Sequence, residues 1–192
     1  MPRGGTEMKK WPLIAVALVT GLALSLVGLS GASASAPGPA YLNVRSSSAA
    51  AQNGETAKFS AVTDGAIPHR ADAFIQSHLV VGIGWADLTT GRALVVTIHP
   101  LIGRDSHQNP DAWHAHTVTV SGGATPPNDF CLVSIDSTPT AGIQIHGNTM
   151  DVNVRMSALP EAPSAFNAAA GFTLEQDPAC ASGLAVRLVQ NP

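Results

Sequence analysis

Charge, aromatic rings and cysteine are all scarce in this chain, and each shortage removes a class of function. Charged residues are 12 % of the 192 positions, and no cluster of Lys or Arg follows Lys10. Nucleic acid is held through many basic contacts to phosphate, so it is not an expected partner. Beyond residue 34, seven Lys and Arg stand against twelve Asp and Glu, a net charge of −5 with His neutral. Cys131 and Cys180 are too far apart for a CxxC redox pair or a zinc knuckle. Neither is followed by the close His and Met of a blue-copper site. Walker and dinucleotide glycine motifs are missing, as is the Gly-x-Ser-x-Gly elbow of a serine hydrolase. Past residue 34, Glu occurs only at positions 55, 161 and 175, and no paired-carboxylate signature stands out. The first expectation is therefore a non-enzymatic protein without catalytic residues or a cofactor.

The leading residues are distinctive. Lys9 and Lys10 precede an uncharged run from Trp11 to Leu29, and Ser30 to Ala36 reads S-G-A-S-A-S-A. A basic start, an apolar stretch and an Ala-x-Ala frame are the grammar of an export signal. Pro37 disfavours a cut after Ala36, so cleavage is expected after Ala34. The alternative is a retained anchor, because residues 12 to 30 as a helix span about 28 Å against a ~30 Å hydrocarbon core. Residues 1–34 are thus a signal peptide or an N-terminal membrane anchor. The remainder is expected to be secreted or tethered to the outer face of the cytoplasmic membrane, touching the bilayer only through that segment. In an oxidising compartment, Cys131 and Cys180 are expected to form a disulfide.

Residues 35–56 are rich in Ala, Ser, Gly and Pro, the composition of a flexible linker that lends at most one edge strand. Residues 57–192 follow as a single domain. There, short Val, Ile, Thr and Leu runs alternate with Gly, Pro, Asn and Asp clusters, which is a strand-and-turn pattern. Strands are expected near 57–62, 78–87, 92–100, 113–120, 130–136, 142–147, 149–157, 165–175 and 183–190, with one helical turn in 71–77. The expected fold is all-β: an antiparallel sandwich of eight or nine strands, immunoglobulin-like or jelly-roll-like, preceded by an N-terminal hydrophobic helix.

Two hairpins fix side-chain faces. Around Thr89-Thr90-Gly91 both arms are almost wholly apolar, which suits central strands covered on both faces. Gly82 and Gly84 leave one face of the first arm bare, a gap for a neighbouring ring such as Trp85 or Trp113. Gly147-Asn148 makes a two-residue turn that pairs His146 with Thr149, Ile145 with Met150 and Ile143 with Val152. That register places His146 on a wet face.

Four of the seven histidines, His99, His107, His114 and His116, fall in one window around the longest polar loop. His114 and His116 share one strand face with β-carbons about 7 Å apart, so their rings can converge on a single ion. His99, His107, Asp105 and Asp111 are the nearest further donors for Cu or Zn. Val118 and Val120 continue the same face, which equally suits structural histidines at a core edge. The spacing of His114, His116 and His146 is that of a cupin, but the carboxylate that should follow His116 is missing. Copper–zinc superoxide dismutases also combine a His-x-His with a disulfide, yet their later histidines have no counterparts here. Two readings follow: an exported binding or structural module with a cell-surface protein or glycan partner, or an extracytoplasmic metal-binding protein. Trp85 and Trp113 are the candidate stacking platforms for a glycan.

Overall fold

Ten strands are found among the described residues, most of them alternating with a period of two. A computed structural model of the chain describes residues 38–100, 102 and 111–189. The strands are β1 (Val44–Ala51), β2 (Thr56–Thr63), β3 (Val80–Asp87), β4 (Arg92–Ile98), β5 (His114–Ser121), β6 (Phe130–Ser137), β7 (Ala141–His146), β8 (Thr149–Arg155), β9 (Ala168–Gln176) and β10 (Leu184–Leu188). One helical turn, α1 (Ala73–Ser77), is capped by the Asp72 carboxylate, which accepts from the Ile75 N–H at 2.8 Å. The leader, His107 and Asp105 lie outside the described residues. Among the described residues no helix is long and apolar enough to cross a membrane.

All pairings are antiparallel. Four strands form a sheet in the order β1-β2-β8-β7, and six close into a barrel in the order β10-β6-β5-β4-β3-β9. Closure is the main departure from the expected sandwich of two open sheets. It arises because β10 pairs with both β9 and β6, so the second sheet has no free edge along that seam. The closing contact is short: only Ala185 with Cys131 and Val186 with Phe130.

The second departure is at the start of the domain. Tyr41 and Leu42, within the stretch expected to be linker, are buried in the core, and Val44–Ala51 pairs along β2 as an edge strand. Its R-S-S-S-A-A-A run carries no apolar alternation because nearly all of it is exposed. Gly171 of β9 is what lets this segment dock. A methyl there would lie 2.1 Å from the Leu42 carbonyl oxygen. Gly171→Ala is expected to cost about 1–3 kcal/mol in urea unfolding, by forcing backbone apart. A variant as stable as the parent would contradict this docking.

Alternation divides β3, β4 and β5 between two cores, as their apolar arms require. Ile83, Trp85, Leu94 and Val96 pack towards the four-stranded sheet, against Phe59, Met150 and Val152. Val95, Val118, Leu132, Phe172 and Val186 form a second cluster inside the barrel. The gap left by Gly82 is covered by Phe172, whose ring would meet a Gly82 methyl at 2.5 Å, and by neither tryptophan. The Gly147-Asn148 hairpin has the expected register, with Ile145 opposite Met150 and His146 exposed.

The seam of the barrel is held by two devices. Cys131 and Cys180 form a disulfide with Cα atoms 5.3 Å apart, joining β6 to the loop after β9. Beside it, the buried Asp177 carboxylate accepts from the Thr125 N–H at 2.6 Å, and at 3.0 Å each from the Thr125 hydroxyl, the Asn128 amide and the Ala179 N–H. These donors, Asn128 foremost, hold its acidity at about 2 against an ordinary 3.8. The folded value lies below the unfolded one. The stabilisation is therefore complete above about pH 4 and disappears as pH falls towards 2. Asp177→Asn is expected to lower stability at pH 7, with the gap to the parent closing between about pH 4 and pH 2. A gap independent of pH would contradict a role for the charge.

Candidate metal centre

In the barrel, β4 and β5 are neighbours with Val95 opposite His116 and Thr97 opposite His114. Alternation then turns Thr97 and His99 from one strand, and His114 and His116 from the other, to the same side. His99 stands just past the end of β4. The return of the chain into β5 sets it against His114, fifteen positions later in sequence. All three histidines are buried, with 6 % or less of each exposed. Ring centroids are 4.5 Å apart for His99 and His114, 4.9 Å for His114 and His116, and 6.2 Å for His99 and His116. One ligand nitrogen from each lies within 4.8 Å of the others.

The hydrogen bonds fix which nitrogens face inward. His99 Nδ1 is 2.7 Å from the Ile102 carbonyl, His114 Nδ1 is 2.7 Å from the Ala112 carbonyl, and His116 Nδ1 is 3.1 Å from Thr138 Oγ1. A carbonyl oxygen only accepts, so Nδ1 of His99 and of His114 must each carry hydrogen. In the neutral rings Nε2 then bears a lone pair, and the two Nε2 atoms are 2.7 Å apart. Two lone pairs at that distance repel. A cation on or between them converts the repulsion into attraction. A proton can serve two rings, and three converging imidazoles with their Nδ1 groups engaged could hold a metal ion. Tetrahedral coordination at 2.0–2.1 Å separates ligand nitrogens by about 3.3 Å, between the closest and widest spacings here.

Of the expected donors, the structure brings His99, His114 and His116 together. Asp111 is exposed and stands outside the group, and His146 lies in the other sheet, which ends the cupin-like spacing. Trp85 and Trp113 belong to the core, with indole N–H groups donating to the Ser60 carbonyl at 3.4 Å and the Pro68 carbonyl at 2.7 Å. Neither offers a face to a glycan. Two residues carried no signal in the sequence. Thr138 orients His116. Thr97, 3 % exposed and inward-facing, has a hydroxyl with no hydrogen-bond partner among the described residues.

The fold and site thus define an antiparallel β-barrel with a buried three-histidine cluster at one end. No protein-family model, curated protein or solved structure matches the chain.

Proposed function

We propose that this is an exported metal-binding protein in which His99, His114 and His116 hold one Zn²⁺ or Cu²⁺. The observation behind this reading is the 2.7 Å approach of two Nε2 atoms whose rings both donate from Nδ1 to carbonyls, beside a third buried imidazole. Imidazole nitrogen suits zinc and copper, and pre-set Nδ1 partners raise ligand basicity and fix ring orientation. Among the described residues three ligands come together, and a tetrahedral ion has a fourth position. The disulfide and the leader-like first residues support export. Binding without catalysis keeps the expectation drawn from the missing catalytic motifs.

Elemental analysis after zinc loading and desalting tests the reading. One zinc per chain is expected, falling below a tenth in His99→Ala, His114→Ala and His116→Ala and unchanged in Asp111→Ala. Zinc retained by all three histidine variants, or by none including the parent, contradicts it. Imidazole must be deprotonated to ligate, so acidification from about pH 7 to about pH 5 should release the ion.

A further inference from the structure

The barrel encloses more space than its side chains fill. A cavity of about 970 Å³ lies in it, lined chiefly by apolar residues, with Ala86, Ala93, Ala168 and Ala170 beside larger ones such as Val95 and Leu132. A six-stranded barrel is normally filled from within. Here the short side chains of these alanines leave part of the interior open, a space within the range of a ligand site, about 300–1,000 Å³.

The two ends of this cavity differ. At the β3–β4 turn the polar group is Asp87, whose carboxylate is occupied by the Thr89 N–H at 2.8 Å and the Thr90 hydroxyl at 3.0 Å. A second anion there would be repelled. At the other end the lining turns to Thr97, His99 and His116, with the unsatisfied Thr97 hydroxyl among them. A buried hydroxyl without a partner costs about 1–3 kcal/mol, which an acceptor on a ligand would recover. Exposed side chains line the cavity at both ends, Ile135 at 60 % and Leu88 at 61 %, so it opens to solvent.

We propose that the barrel binds a medium-chain alkyl carboxylate, its tail along the alanine wall and its carboxylate at the histidine end. This rests on the metal reading: the carboxylate takes the fourth position on the ion held by His99, His114 and His116 and accepts from the Thr97 hydroxyl. The charge pattern sets the direction, since a carboxylate is attracted to the metal end and repelled by Asp87. Length fits as well. Ala93 to His99 covers roughly 20 Å of strand, enough for a chain of about a dozen carbons.

The test is calorimetric titration of dodecanoate, dodecanol and acetate into protein purified without detergent, zinc-loaded or chelated, with zinc content measured separately. Dodecanoate is expected to bind the zinc-loaded parent at least tenfold more tightly than dodecanol or acetate, and to lose at least tenfold on chelation. Ala170→Phe, which fills the cavity, should reduce dodecanoate affinity at least tenfold with zinc stoichiometry unchanged. Ala93→Leu on β4, which β3 separates from β9, serves as the second filling variant should the first misfold. Zinc bound without dodecanoate overturns this proposal and leaves the metal centre standing. Equal affinity for dodecanoate and dodecanol, or dodecanoate binding undiminished by both filling variants, also overturns it. Absence of zinc binding is the separate result that removes the metal reading and this proposal's head-group contact with it.

Discussion

Chelating the zinc-loaded protein is expected to lower its thermal midpoint by about 8–16 °C. A ligand bound only by the folded state stabilises it by RT ln(1 + [L]/Kd), about 4 kcal/mol at a thousandfold excess over Kd. For a domain of 150–250 residues each kcal/mol moves the midpoint by about 2–4 °C. The effect should be large here because the ligand nitrogens are assembled only by folding: His99 comes from the end of one strand and His114 and His116 from the next. The ion would bridge two Nε2 atoms that stand 2.7 Å apart in a buried site. Scanning calorimetry with and without chelator measures this directly. His99→Ala should unfold at the same temperature in both conditions. A midpoint in the parent that ignores both zinc and chelator would contradict the expectation.

Reducing the disulfide should produce the second large effect. The Cys131–Cys180 bridge spans 49 positions, and closing a loop of that length stabilises by about 4 kcal/mol on the chain-entropy model. Its position adds to this. Cys131 is itself one of the two β6 residues that close the barrel on β10. Breaking the bridge therefore loosens the seam where the sheet has least pairing. The Cys131→Ala/Cys180→Ala double variant is expected to lose about 2–5 kcal/mol in urea unfolding. Hydrogen exchange should rise first at Ala185 and Val186. Uniform exchange across all ten strands, or unchanged stability, would contradict the placement of the bridge at a weak seam.

Much of this architecture could be read from residues, and the limits have physical causes. Hairpin β7–β8 was legible to the residue, because Gly147-Asn148 sets the register and Ile143, Ile145, Met150 and Val152 share one face through a period of two. The common face of His114 and His116 followed from the same period, as did their continuation into Val118 inside the barrel. Barrel closure left no local trace. It depends on two residue pairs between strands more than fifty positions apart, and loop closure over that distance has no sequence period. Strand β1 was hidden because an exposed edge strand needs no apolar alternation. The meeting of His99 with His114 and His116 required the β4–β5 register, which no tight turn fixes across the intervening loop. Thr97 and Thr138 act by standing next to histidines in space, and threonine is too common in strands to mark either one.

X-ray absorption at the zinc edge of the loaded protein tests the three-histidine centre most directly. The spectrum should show a nitrogen shell at about 2.0–2.1 Å with the outer-shell scattering of three imidazoles. In a variant lacking only His99, at a zinc concentration high enough to hold the ion on the remaining pair, the count should fall to two. An oxygen-only shell, or an imidazole count unchanged by removing His99, would contradict the assignment of His99, His114 and His116 as the ligands.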